Sequence, residues 1–523
     1  MTAKLQQSPR DATAPLDASP VGVMARLTTA AGLLAGLRWH DLRAAKTMVK
    51  SLYGTSPKPS ALPAFAAWTA RQLLDAMPRG LRVVTFPAAI DRTPFWLTLE
   101  NPLANHPWKQ GAEELPSTAD TVVIGAGMTG GSLAYHWSKA APPHRSLVVL
   151  EMNDPASGAS GRNGGSLVMG RYYAMVLKLL EDYWRKTNQH GDDTRRRRLG
   201  EKFAETYCAA AYRNAEMIAE TIRTENFDCD YQRNGWIQLR SAEQQDALTE
   251  SVELTTRAGF LDWGRVTPGD IERMSGVRCS TDAGISRRAG QYHPAKWVWC
   301  LLGRALQSNG VQLFTRTKVL RIVDEGEVYR VETDRGSIVA RHVVNATEAY
   351  TAQLHRQFSG KLQPVQTQLC AVDAAPDHLK PNITVSSSLW FGERRGDRVI
   401  LGSDETALPD ENAGQNRPSR FITKFVLTEV QRFTGPFRMT VRNEWSGSVG
   451  FTIDQYPVVG TLDGKRQYVI GGMCGSGTGV AFNASRCIVN RILGRSEEQD
   501  DYPAEYFAPS RLLSPETHPW PDA

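Results

Sequence analysis

Three glycines and one acid in this chain stand at a spacing that does chemistry. The apolar run 121–124 ends in Gly125-Ala126-Gly127-Met128-Thr129-Gly130 and passes into a helix-periodic stretch, and a second apolar run, 146–150, stops at Glu151. Strand, glycine turn, helix, strand and terminal carboxylate is the order a dinucleotide site requires. Gly125 permits the tight turn, Gly127 lets backbone approach a pyrophosphate, and Gly130 lets the helix lie close on the sheet. The helix start offers unpaired N–H groups and partial positive charge to phosphates. Glu151 is placed to accept hydrogen bonds from ribose hydroxyls, and its charge opposes a 2′-phosphate. These residues point to FAD or NAD rather than NADP. The separation from Gly125 to Glu151 exceeds the usual ~20 residues, and 140–145 reads as a lengthened turn that takes up the excess.

A second glycine turn lies far downstream. The tract 468–470 runs into Gly471-Gly472-Met473-Cys474-Gly475-Ser476-Gly477-Thr478-Gly479 and then a helix carrying Val480, Ala484, Cys487 and Ile488. Five glycines within nine residues favour a second helix start offered to the same cofactor over a plain packed turn.

Those turns need a scaffold around them. The chain has 523 residues, 41% of them hydrophobic and 22% charged, with a net charge of +6, the composition of an ordinary globular protein of two or three domains. The one basic run, 195–198, follows Asp192-Asp193-Thr194 and reads as the solvated start of a long helix, not a nucleic-acid patch. Seven cysteines with no CxxC pair match no zinc or disulfide framework, so reduced thiols in a cytoplasmic protein and no metal are expected. No apolar run reaches about 18 residues, so no transmembrane helix is expected, and the N-terminus does not read as a secretory signal.

Residues 1–20 have a disordered composition. Helical periodicity over 21–52, interrupted by Arg26, Arg38, Arg43, Lys46 and Lys50, reads as an extension packed on its own body or on a second subunit, with a membrane-surface helix or a targeting segment as the alternative. A linker at 56–63 precedes a short helix at 64–77. Helices follow at 172–188, 194–225 and 244–258, with a strand-like tract at 235–239. Strands are predicted at 311–314, 319–323, 328–333 and 337–344, then at 367–372, 383–385, 398–401, 440–445 and 467–470, with one helix at 420–433. The fold class is α/β: a Rossmann-type dinucleotide-binding domain with an inserted antiparallel-sheet (α+β) substrate domain and an N-terminal helical extension. The boundaries are an extension at 1–90, nucleotide-domain pieces at 91–235, 301–355 and 451–495, a mixed region at 236–300, a substrate sheet at 356–450, and a tail at 496–523.

Seven tracts in this order give the chain a resemblance to a known family. They are 125–132, the loop Gly158-Ala159-Ser160-Gly161-Arg162-Asn163-Gly164-Gly165, the tract Arg233-Asn234-Gly235-Trp236-Ile237-Gln238-Leu239, Gln291-Tyr292-His293-Pro294, 343–351, Thr452-Ile453-Asp454-Gln455-Tyr456-Pro457 and the C-terminal glycine turn. Over roughly 90–495 the chain resembles the D-amino-acid oxidase-like superfamily of FAD-dependent amine oxidoreductases, and most of all its gamma-glutamylputrescine oxidoreductase-like branch. The resemblance implies that Gly125, Ala126, Gly127, Met128, Thr129 and Gly130 hold the FAD pyrophosphate and Glu151 its ribose. It implies that Val319 touches the adenine and that Ala346 and Thr347 flank the nucleotide. Ser160, Gly161, Arg162 and Asn163, with Gly472, Gly475, Ser476, Gly477 and Thr478, would border the flavin ring. Arg162 could stabilise charge on a reduced flavin, the alternative being a surface salt bridge. The sequence departs from the family where Thr-Pro-Asp becomes Thr452-Ile453-Asp454 and where Ser476 stands for a larger polar residue. No cysteine occupies 445–451, so the FAD is expected to be non-covalent.

The implied reaction oxidises a C–N bond of a small amine or amino-acid-like substrate to an imine, with oxygen or another acceptor reoxidising the flavin. An apolar pocket can itself lower an amine's pKa, so a dedicated base is not compulsory. Arg162, Tyr292 and Trp390 are the candidates on the flavin and substrate side, with Phe391 and Trp445 as further aromatics. His293 reads as a helix cap. Arg394, Arg395 and Arg398 are candidates for a substrate carboxylate. A flavin-dependent monooxygenase is the competing reading, and an FAD-bound or FAD-free scaffold a third. No nucleic-acid partner is expected, and the oligomeric state is left open.

Overall fold

The computed structural model describes residues 22–36, 61–106, 113–167, 172–374, 378–409, 414, 416–462, 464–495 and 502–521. The expectations for 1–20 and for 37–60 lie outside the described residues.

The nucleotide-binding sheet has eight strands. Its parallel core runs in space as Val311–Phe314, Leu147–Leu150, Thr118–Ile124, Gly336–Asn345 and Gln467–Gly471. Leu147, Val148, Val149 and Leu150 are all buried, as expected of a parallel strand covered on both faces. The register sets Ile124 beside both Leu150 and Asn345, Leu150 beside Phe314, and Asn345 beside Val469. Five strands therefore end together, and the residues that follow them share one edge. That edge is where open α/β sheets bind ligands. The helix Met128–Ala140 covers one face, flanked by Pro294–Ala305 and Ala481–Ile492. Val319–Asp324, Tyr329–Thr333 and Gly336–Asn345 form an antiparallel meander at one end of the sheet.

The second sheet has nine strands drawn from four stretches of chain. Its long members are Leu362–Ala374, Arg398–Pro409 and Met439–Thr452, paired antiparallel. Phe391–Arg395 and Thr384–Ser386 extend it to Trp236–Gln238, Ala283–Ser286 and Trp263–Val266. The helix Arg420–Thr434, capped by Ser419, buries Ile422, Val426, Leu427 and Val430 against the back of this sheet.

The structure extends or adds several elements. The strand predicted at 367–372 runs Leu362–Ala374, because Gln366 and Gln368 are buried and Gln368 hydrogen-bonds Ser419 and Thr423. Trp263–Val266, Ala283–Ser286, Phe391–Arg395 and Val458–Thr461 are strands whose glycines and charges break the apolar pattern. The basic run does open a long helix, Asp193–Glu225, with Asp192 accepting the Arg195 N–H at 2.8 Å. It is not wholly solvated, since Arg196 is buried against the Gln189 carbonyl. The short N-terminal helix starts at Ala61, passes through a π turn at Gln72–Ala76, and packs on this chain's own Arg420–Thr434, where Gln431 Nε2 donates to the Gly80 carbonyl at 2.8 Å.

Residues 502–521, read as part of a tail, are built into the body. Trp520 meets Trp184 at 5.4 Å and Phe507 meets Phe203 at the same separation. Arg511 donates to Asp454 at 2.6 Å, and both side chains are only 2% exposed. All seven cysteines are free thiols.

Candidate active site

The shared strand edge opens into a cavity of about 1730 Å³. That exceeds the ~300–1,000 Å³ of a single small-molecule pocket and leaves room for a dinucleotide and a substrate together.

The cofactor end is made largely of backbone. Gly125 has φ +105°, and a side chain there would meet the Ala346 carbonyl oxygen at 2.8 Å. Gly130 is tighter still: an added Cβ would lie 1.8 Å from the Gly125 carbonyl oxygen. At Gly127 the first obstacle is the Ser160 hydroxyl, 2.8 Å from an added Cβ. That hydroxyl accepts the Met128 N–H at 2.7 Å. Gly127 therefore also makes way for the 158–165 loop. Glu151 accepts the N–H groups of Ala126 and Asn153, each at 2.8 Å. Burial raises its pKa, and those two amides oppose the rise.

Arg162 has no acid partner among the described residues. Its Nε donates to the Ser157 carbonyl at 2.8 Å and its Nη1 to the Ser446 carbonyl at 3.0 Å, while burial lowers its pKa. The surface salt bridge is thus not what this side chain makes. Asn163 folds back on its own loop, bonding Ser160 and Gly165. Glu348, whose φ is +52°, ties the site together. Its carboxylate accepts the Met473 N–H at 2.8 Å and the Gly450 N–H at 2.6 Å, joining the 345–351 loop, the strand Met439–Thr452 and the C-terminal glycine turn. Burial pushes its pKa up to about 7, against the pull of those amides.

At the other end the second sheet presents side chains. Trp236, Gln238, Arg240, Thr384, Ser386, Trp390 and Phe391 line the cavity there. Behind them runs a buried polar chain. Asn234 donates to Gln291 at 2.9 Å, Gln291 to Thr384 at 2.9 Å, and Thr384 and Ser166 both to Glu393 at 3.2 Å. Glu393 is held by Arg395 at 2.8 Å. No histidine lines the cavity among the described residues.

Of the residues singled out by sequence, the cavity is lined by Gly125, Gly127, Met128, Thr129, Glu151, Ser160, Arg162, Asn163, Val319, Ala346, Thr347, Trp390, Gly475, Ser476, Gly477 and Thr478. Ala126, Gly130, Gly161 and Gly472 stand just behind that surface as packing positions. Tyr292 is a correction. It is 1% exposed, lies off the cavity and sends its hydroxyl toward Met128 Sδ at 3.9 Å, because Gln291-Tyr292 continues a strand into the helix Pro294–Ala305 beneath the glycine turn. Trp445 likewise lies off the cavity and props the Arg162 carbonyl at 3.0 Å. His293 caps its helix, accepting the Lys296 N–H at 3.1 Å. The three arginines considered for a carboxylate are occupied: Arg394 by the His378 and Leu379 carbonyls, Arg395 by Glu393, Arg398 by Asp373. Sequence reasoning gave no role to Gln238, Arg240, Thr384 and Glu348. The alternation Trp236-x-Gln238-x-Arg240 was the available signal for one shared face.

The open backbone cradle, the buried acid Glu151 at the end of its strand and the two converging helix starts fit FAD. Comparison with known proteins agrees. The family model "DAO: FAD dependent oxidoreductase" matches residues 120–491. Gamma-glutamylputrescine oxidoreductase of Escherichia coli is 25% identical over 407 residues, which are 74% of this chain and 86% of that protein. L-proline dehydrogenase from P. horikoshii shares the fold with a TM-score of 0.60 at 18% identity, covering 76% of this chain and 98% of that one. Glycine oxidase from Geobacillus kaustophilus gives 0.56 at 17%, covering 73% and 96%. The match runs from the first glycine strand to the helix after the second glycine turn, and the chain belongs to the FAD-dependent oxidoreductases of the DAO family.

Proposed function

We propose that this protein oxidises the C–N bond of a small amine or amino-acid-like substrate to an imine, which water then hydrolyses. The observation that carries the reading is a cavity joining the FAD cradle to an aromatic and hydroxyl-lined wall with no histidine among the described residues. Bound FAD supplies the acceptor for the hydride equivalent. The protein has to orient a neutral amine and exclude water. Trp236 and Phe391 can receive a cationic amine on entry and favour its neutral form once desolvated. Trp390 is 2% exposed and packs its ring 5.8 Å from Phe433, in the core behind the sheet, so only its edge borders the cavity. Arg162, fixed by two carbonyls and free of any acid among the described residues, keeps its charge for the electron-rich cofactor. The E. coli and solved relatives named for gamma-glutamylputrescine, L-proline and glycine support a substrate bearing an amine. Oxygen or another acceptor completes the cycle, in a cytoplasmic setting.

Anaerobic mixing of the flavin-loaded protein with a panel of primary and secondary amines, without NADPH, tests the reading. Bleaching of the flavin band by an amine is the expected result. Bleaching by NADPH alone would move the protein to the monooxygenases.

A further inference from the structure

Among the described residues five arginines line the cavity: Arg162, Arg185, Arg197, Arg240 and Arg316. Four are spoken for. Arg162 donates to carbonyls, Arg185 meets Asp182, Arg197 meets Glu201 at 2.7 Å, and Arg316 meets Asp154. Arg240 differs. Its side chain donates to the Tyr172 hydroxyl at 2.7 Å and to the Gln238 side-chain oxygen, both neutral. Its guanidinium lies 5.6 Å from the centre of the Tyr172 ring, which is stacked on Trp263 at 4.5 Å. No acid among the described residues pairs with it, and its Nε is buried without a partner. The two lysines of the lining, Lys178 and Lys318, are exposed and solvated.

A half-buried guanidinium without a counter-charge is costly to keep, and its planar fork matches a carboxylate in two parallel hydrogen bonds. The fork is already oriented by neighbours that leave donors unused. Its place on the wall also matters. Ile237 and Leu239 point into the core, so Trp236, Gln238 and Arg240 share the cavity face. Trp236 is in register with Thr384, whose hydroxyl lies 3.4 Å from Ser166 beside the 158–165 loop. Arg240 is four residues further on, roughly 13 Å along an extended chain, towards Gln244 and the helix Gln245–Arg257. A carboxylate on Arg240 therefore stands away from the cofactor loop.

We propose that Arg240 anchors a carboxylate of the substrate, and that this carboxylate is separated from the oxidised carbon by several bonds. The substrate class is then an amine with a distal carboxylate, not an α-amino acid. This rests on the amine-oxidising reading of the same cavity.

The test has an equilibrium arm and a kinetic arm. Glutarate titrated into the oxidised holoprotein should perturb the flavin absorption band, and its uncharged analogue glutaramide should not. Arg240→Met should weaken glutarate binding about 30-fold, in the range of a lost charged hydrogen bond, with Arg240→Lys between the two. Flavin content and melting temperature of each variant check that it is folded. In the kinetic arm, the ratio of kcat/KM for 5-aminopentanoate over pentylamine should fall about 30-fold in Arg240→Met, and 5-aminopentanoate should outperform glycine in the parent. Unchanged glutarate binding or an unchanged ratio in Arg240→Met overturns the anchor while leaving amine oxidation standing. If no amine bleaches the flavin but glutarate binding still depends on Arg240, amine oxidation fails and the anion site stands.

Discussion

The two ends of the cavity solve opposite problems. At the cofactor end the shape is set by side chains that are absent. Five neighbouring strands end level at one edge, where two glycine turns bring their backbone groups together, and Gly130 tolerates no added atom. At the substrate end the shape is set by side chains that are present, on strands brought together from 236–240, 362–369 and 384–391 and backed by the Gln291–Thr384–Glu393 chain. A backbone-built site fails abruptly, because a misplaced strand edge has no alternative rotamer. A side-chain-built site is expected to degrade by steps, each the size of one hydrogen bond.

The sharpest way to break that contrast is Gly130→Ala. The new Cβ cannot coexist with a carbonyl oxygen 1.8 Å away, so the helix must shift and the purified protein should lack flavin absorbance. Near-normal flavin content would show that the turn is softer than the geometry says. Next in size is Arg511→Met. Leaving Asp454 buried alone should cost about 3–5 kcal/mol, read as a fall in the denaturant midpoint. The double variant Asp454→Asn with Arg511→Met should recover part of that loss.

Thr384→Val probes the other end. It removes the hydroxyl shared by Gln291 and Glu393 and should cost about 1–3 kcal/mol with flavin content intact. Loss of flavin in that variant would erase the distinction between the ends. Smallest is the pH effect of Glu348. Its carboxyl is held above the ordinary 4.5, at about 7, and so keeps its proton longer in the folded state. Stability should therefore fall as pH rises from 4.5 to about 7, by no more than ~1.4 kcal/mol per pH unit. Glu348→Gln should lack that slope, and thermal melts of both proteins across the window give the difference. Parallel curves would mean that the carboxylate is already ionised in the fold.

The cofactor end was legible because its determinants are local. Gly125, Gly127, Gly130 and Glu151 occupy one strand–helix–strand unit, and their spacing is itself the geometry. The substrate wall was not, because which residues face it depends on strand register across long separations. Thr384 meets Trp236 through a ladder between segments far apart in sequence, and nothing in either segment announces the other. Tyr292 misled for the same reason: its tract borders the site in sequence but turns beneath the glycine helix in space. Arg394 and Arg395 looked available until the Leu379 carbonyl and Glu393 closed on them.

The Arg511–Asp454 pair has a consequence for biosynthesis. Gln467–Gly471 completes the parallel core, and Arg511 reaches back to Asp454, ahead of the strand Val458–Thr461 that pairs with it. A nascent chain that has already made Gly125 and Glu151 thus still lacks the second glycine turn and the bond that braces it. Such late, long-range closure is slow and leaves apolar strand edges open in the meantime. FAD capture should therefore wait until residues 467–511 have been made and folded, and chaperone demand should be concentrated in that interval.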